Sequence, residues 1–238
     1  MNRLRYHLET IPVIDAYGAR SECPLCDLRQ QVEQSYLESF LGASVMEPAV
    51  RIEVNRKGFC GAHFAQLFQT QNRLGLALMT HTHLLETIGK LRNTEHPKKN
   101  MFHKIKREAE TSEPCALCDR LSETMARYLF TTVHLWKTND EFQKVFNASK
   151  GHCFPHYYQL IQTAESGWQT KSMRAFFETL RQLQVSNMER VEKELRWFTE
   201  KFDYRNADLP WGESKDSLER AINKLRGKVI TQVYTKRK

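Results

Sequence analysis

Apolar residues recur at helical intervals through most of this chain, and no segment alternates with the period of two expected of a half-buried strand. Leu28, Val32, Tyr36 and Phe40 follow one another at steps of four in DLRQQVEQSYLESFL. Leu121, Met125, Tyr128 and Leu129 predict a second helix of the same kind. Shorter helices are expected over about 47–56 and 139–149, the latter opened by a capping box of Thr138 and Glu141. A long helix is expected over 61–92, with Phe64, Leu67, Phe68, Leu74, Leu78, His81, Leu85 and Ile88 along one stripe. Another is expected over 168–205, where Met173, Phe177, Leu180, Val191, Leu195, Phe198 and Phe202 form the apolar side. The stretch FDYRNADLPWGESKD then reads as turns, and a last helix runs from a capping pair, Asp216 and Glu219, to Gly227. The aromatic residues Trp197, Phe198, Phe202, Tyr204 and Trp211 read as core and lid. The fold class is all-α.

The helices carry a repeated phrase. KGFCGAH at 57–63 returns as KGHCFPH at 150–156, and the CPLCD of 23–27 returns as CALCD at 115–119. The interval between the Cys pair and the Cys-His pair is 33 residues in the first copy and 34 in the second, and Tyr36 falls on Tyr128. This is an internal repeat. The glycines of the two Lys-Gly pairs, Gly58 and Gly151, are placed to end a helix with positive φ just before a Cys. The expected architecture is two helical repeats, each closed around its own Cys3His site, followed by C-terminal amphipathic helices. Its divisions are a first repeat over 1–92, a basic connector with the second repeat over 93–166, and a C-terminal helical region over 167–238.

The spacing is that of metal ligands. Two residues between donors make a tight turn that aims both at one ion, and zinc in structural sites takes four such donors from thiolate and imidazole. Read repeat by repeat, the ligands are Cys23, Cys26, Cys60 and His63 for one Zn²⁺, and Cys115, Cys118, Cys153 and His156 for another. Each pair sits at or near a helix start, where the dipole favours thiolate. Four protein donors leave no open position, so both sites read as structural. Iron–sulfur ligation by Cys3His stays open. Thioredoxin-like dithiol chemistry shares the C-x-x-C spacing but expects a βαβ context that is missing here. His152 answers to Phe59 in the first copy and is assigned to packing. His81 and His83 point to different sides of a helix and cannot share an ion. His81 is expected in the core, and a pocket lined by Asn72, Arg73 and His83 is the minority reading.

Composition changes the picture little. Hydrophobic residues make up 40% and charged residues 27% of the 238, with a formal net charge of +8. The N-terminal MNRLRYHLETIPVIDAYG has no uninterrupted apolar stretch, and no run approaches a membrane span. A cytoplasmic location is therefore expected, and there six cysteines are poor disulfide candidates. The connector KLRNTEHPKKNMFHKIKRE and the tail YTKRK are basic enough to keep nucleic-acid contact open, with solvated charge the simpler reading. No P-loop, GxGxxG, GxSxG or HExxH pattern occurs, and no catalytic constellation is recognisable.

SECPLCDL, LGASVMEPAVRIEVNRKGFCGAHF, NRLGLALMTHTHLLE and KFDYRNADLPWGESKD together resemble a bacterial family, common in anaerobic Firmicutes, known as a domain of unknown function. The resemblance spans essentially the full chain and implies a cytoplasmic metal-binding protein, without implying an activity. The expectation is a zinc-binding helical interaction or regulatory protein with a protein partner and no membrane association. The alternatives are an enzyme with a pocket between the repeats and the C-terminal helices, and a nucleic-acid-binding protein using the connector.

Overall fold

The computed structural model describes residues 9–93, 114–167 and 170–229. Among the described residues every regular element is helical. They are α1 (Thr10–Gly18), α2 (Pro24–Leu41), α3 (Pro48–Lys57), α4 (Gly61–Gln69), α5 (Arg73–Arg92), α6 (Ala116–Thr138), α7 (Asp140–Asn147), α8 (Phe154–Gly167), α9 (Thr170–Glu200) and α10 (Ser217–Arg226). Short 3₁₀ turns lie at Ala43–Met46, Tyr204–Asn206 and Gly212–Ser214. The chain divides into two compact units, one made of residues 1–30 with 125–238 and the other of 31–124. Among the described residues no helix is long and apolar enough to cross a membrane.

Of the expected stripe of α2, Leu28 and Phe40 are buried and Val32 and Tyr36 half-buried, and on α6 Leu121, Met125 and Leu129 are buried and Tyr128 half-buried. Leu25, Leu28, Leu37, Phe40 and Leu41 are buried on α2, as are Leu117, Leu121, Met125, Leu129 and Val133 on α6. Elements after each C-x-x-C follow in one order, a long helix, a short helix, a Lys-Gly turn, then a helix that begins directly after Cys60 or Cys153. Gly58 has φ 66° and ψ −156°, a region only glycine occupies freely, and its amide closes α3 on Val54 O at 2.8 Å. A Cβ there would meet the imidazole of His83 at 2.5 Å. Gly151 likewise has φ 74°. α1 was not among the expected elements; it buries Val13, Ala16 and Tyr17, and Tyr17 stacks on Phe146.

Several expectations are corrected. The helix expected over 61–92 is two helices, because Thr70 is extended and Asn72 caps α5 by accepting from the Gly75 amide at 2.8 Å. The expected stripe crosses this break. Leu67 is buried, whereas Phe68, Leu74, Leu78 and Leu85 are exposed, and the buried positions of α5 are Gly75, Leu76 and Met79. His81 is exposed rather than in the core. α7 is capped by Asn139, which accepts from the Phe142 amide at 3.0 Å, while Thr138 belongs to α6 and bonds back to His134 O. Asp216 precedes α10 but makes no capping bond; its carboxylate accepts instead from Arg220. The connector begins within α5, and its residues from 94 on, like the YTKRK tail, lie outside the described residues.

KFDYRNADLPWG proves to be a loop wound around one ammonium group. Lys201 is buried and donates to the carbonyls of Asn206, Ala207 and Leu209 at 2.5, 2.8 and 2.6 Å. The Trp197 indole donates to Pro210 O at 3.1 Å, and Phe198 and Phe202 pack against Trp211. Phe202 and Tyr204 nevertheless remain largely exposed, so the aromatic group is a lid only in part.

Candidate metal centres

All eight sequence-chosen donors gather into two quartets, but the partners are exchanged. Cys23 and Cys26 meet Cys153 and His156, and Cys115 and Cys118 meet Cys60 and His63. The expectation that each repeat closes around its own site is therefore corrected: the C-x-x-C of one copy joins the C-x-x-H of the other. Along the chain the two donor pairs of the first copy are separated by α2, about 27 Å long, and α3, about 15 Å long. Each quartet falls inside one of the two compact units.

Local structure aims the donors. The first Cys of every pair stands directly before a helix, and the second donor lies in that helix's first turn. Backbone bonds fix the turns, with Asp27 N to Cys23 O, Phe64 N to Cys60 O, Asp119 N to Cys115 O and Tyr157 N to Cys153 O all between 2.9 and 3.3 Å. Two helix N-termini thus converge on each quartet, and their dipoles favour the anionic thiolate.

The distances suit a single tetrahedral ion. Bonds of about 2.3 Å to sulfur and 2.0 Å to nitrogen give tetrahedron edges of roughly 3.8 Å between sulfurs and 3.5 Å between sulfur and nitrogen. In the first quartet Cys26 Sγ lies 3.5 Å from Cys153 Sγ, and His156 Nδ1 lies 3.4, 3.4 and 3.2 Å from the sulfurs of Cys23, Cys26 and Cys153. In the second, Cys60 Sγ lies 3.8 Å from Cys118 Sγ, and His63 Nδ1 lies 3.3 Å from each of Cys60, Cys115 and Cys118. All four members of the first quartet are buried, whereas Cys60 and Cys118 of the second are half-buried.

Among themselves the donors share protons unequally. Burial drives the Cys23 thiol well above its ordinary value, while hydrogen-bond contacts with Cys153, Cys23 and His156 hold Cys26 far below it. Burial opposes charge on His156, but contacts with Cys153 and Cys26 raise it to about 9. His63 is raised to about 10 by hydrogen bonds to Cys115 and Glu33. Burial pushes Cys115 up, and His63 with the backbone amides of Cys118 and Cys60 outweighs it, bringing the thiol to about 6. Cys118 goes to about 12 through burial and its proximity to Cys115. Three sulfurs this close ionise together only around a cation, which displaces the protons as it binds.

Residues outside the ligand pattern complete the surroundings. His63 Nε2 lies 3.0 Å from Glu33 Oε1, the carboxylate partner that orients a metal-bound imidazole. Nothing in the sequence pattern marked Glu33, whose register counterpart on α6 is Met125. In the second quartet the Ala116 amide donates to Gly58 O at 3.0 Å, joining the two ligand loops. His152 is fully buried, as assigned, yet it is not only packing. Its Nε2 lies 2.7 Å from Tyr17 Oη, and its Nδ1 has no partner among the described residues. Burial lowers it to about 3.

The residues set aside for a pocket have other work. Asn72 caps α5 and also donates to Leu41 O at 2.5 Å, Arg73 stacks on the Phe68 ring, and His83 Nδ1 lies 2.8 Å from Asn55 O against Gly58.

The sequence profile described as "Family of unknown function (DUF6062)" matches residues 4–232. A relative from Caldicellulosiruptor sp. (strain Rt8B.4), titled "Uncharacterized 23.9 kDa protein in xynA 3'region", is 23% identical over 187 residues, covering 79% of this chain and 85% of the relative. No solved structure matches.

Proposed function

The chain belongs to the family of unknown function DUF6062, and we propose that it is a cytoplasmic zinc protein whose two closed Cys3His centres hold its helices in place for binding a protein partner. The single observation that carries this reading is the convergence of two complete quartets, each with all its donor atoms within 4.8 Å of one another. Four protein donors per centre fill a tetrahedron and leave no position for substrate or water, which supports a structural role over a catalytic one. The short separations among all four donors favour one ion over an iron–sulfur cluster, whose ligands are shared out over two or more irons. Soft thiolate with imidazole is a donor set that suits zinc. Cysteines kept as ligands are also best served by a reducing compartment.

The partner reading draws on the surface of the 31–124 unit. Ile52, Leu74 and Leu85 remain more than half exposed, an apolar display that solvent alone does not favour. Elemental analysis of purified protein should find two zinc ions per chain. Chelation should lower the melting temperature and the helical signal together, since binding of a structural zinc is worth about 10–16 kcal/mol in zinc-finger peptides and is folding energy. Full helicity and an unchanged melting curve after complete zinc removal would contradict the structural role. Affinity capture with the zinc-loaded chain should recover a protein that the chelated chain does not.

A further inference from the structure

The two centres close their ligand loops by different means. In the Cys60/His63/Cys115/Cys118 centre the loops are joined by backbone, Ala116 N to Gly58 O at 3.0 Å. By register, Ala116 corresponds to Pro24 and Gly58 to Gly151. Proline has no N–H, so the equivalent bond cannot form in the Cys23/Cys26/Cys153/His156 centre. A side chain from far along the chain occupies that role. The Lys224 ammonium of α10 is completely buried and donates to Glu22 O at 2.5 Å and to Lys150 O. Glu22 directly precedes Cys23, and Lys150 opens the KGHC turn that leads to Cys153.

We propose that Lys224 is a positioning residue for the Cys23/Cys26/Cys153/His156 centre, clamping its two ligand loops in place of the backbone bond that Pro24 forbids. This deepens the zinc reading and rests on it. Docking of α10 and retention of the ion at that centre are then one event.

Charge supports the assignment. A dication with three thiolates and an imidazole carries one net negative charge. Around Lys224, the carboxylates of Glu22, Glu194 and Asp216 are paired with Lys150, Arg190, Arg220 and Lys224, which leaves one positive charge in excess. Arg190 already grips both Glu22 oxygens, at 2.9 and 2.7 Å, so Lys224, 3.2 Å from Glu22 Oε2, shares that carboxylate. Burial pushes the Lys224 ammonium below its ordinary value, with Glu22 and Cys23 opposing the shift. A negatively charged centre next to it offsets the cost of burying the extra cation.

The experiment measures zinc release from the full-length, zinc-loaded chain to an excess of a chromophoric chelator, one equivalent per centre. Lys224→Met keeps the apolar stem and removes the donors. One equivalent should leave about tenfold faster or more, the range for losing an outer-shell partner, and the other at the wild-type rate. Adding Pro24→Ala, which restores an N–H at the position matching Ala116, should slow that fast equivalent again. Ala116→Pro should instead accelerate the other equivalent. If Lys224→Met does not fold, Lys224→Gln, which keeps one donor, should show the same selectivity by a smaller factor. Release of both equivalents at wild-type rates, or equal acceleration of both, overturns the proposal. A wild-type chain that binds no zinc overturns the metal reading itself.

Discussion

Cys26 Sγ lies 3.5 Å from Cys153 Sγ although 127 residues separate them in the chain. The two belong to opposite copies of the repeated phrase, so each quartet ties an early C-x-x-C or C-x-x-H to its complement in the other copy. An ion held there crosslinks distant segments, as a long-range disulfide would, and closes a large loop.

The Glu33 contact makes the second centre sensitive to a single oxygen. Glu33→Gln keeps the size of the side chain and removes the charge that orients His63. Affinity of one of the two zinc ions should fall about 10- to 100-fold, read by competition with a chelator of known strength. Equal affinities in variant and wild type would show that the carboxylate does not act on the metal.

Gly58 is a test of the turn that presents Cys60. With φ 66°, ψ −156° and His83 pressed against it, alanine has neither the conformation nor the space. Gly58→Ala should cost about 1–3 kcal/mol or more in denaturant unfolding. A substitution on the exposed face of α3, such as Ile52→Ala, should stay within about 0.5 kcal/mol.

His152 sets an acid limit. Its folded pKa, about 3, lies below the ordinary histidine value because burial disfavours the imidazolium. The unfolded chain therefore binds the extra proton first. The stability this contributes is present above about pH 6.5 and is lost progressively as pH falls from there towards 3. Phe59 occupies the matching position of the first copy, so His152→Phe should fit. The variant's melting temperature should decline less steeply than the wild type's between pH 6.5 and 4. Parallel curves would mean that another group governs the acid limit.

The features legible in the sequence are those carried by short-range spacing. The stripes of α2 and α6, the positive φ of Gly58 and Gly151, and the eight donors all follow from residues a few positions apart. Spacing is silent on which Cys pair meets which Cys-His pair, because both pairings use identical ligand sets. Only the folded arrangement of the helices decides it. Glu33 and Lys224 stayed hidden for a similar reason, since each acts on a ligand or loop that lies far from it in sequence. The break at Thr70–Asn72 was masked by apolar residues on both sides, and only the Asn72 cap reveals it.

The exchanged pairing is tested most directly by counting zinc per chain in paired ligand variants. Cys26→Ser with Cys153→Ser removes donors from one quartet and should leave one ion bound. Cys26→Ser with Cys60→Ser damages both and should leave none. If the second pair retains one ion while the first loses both, the ligands are grouped repeat by repeat and the exchange is wrong.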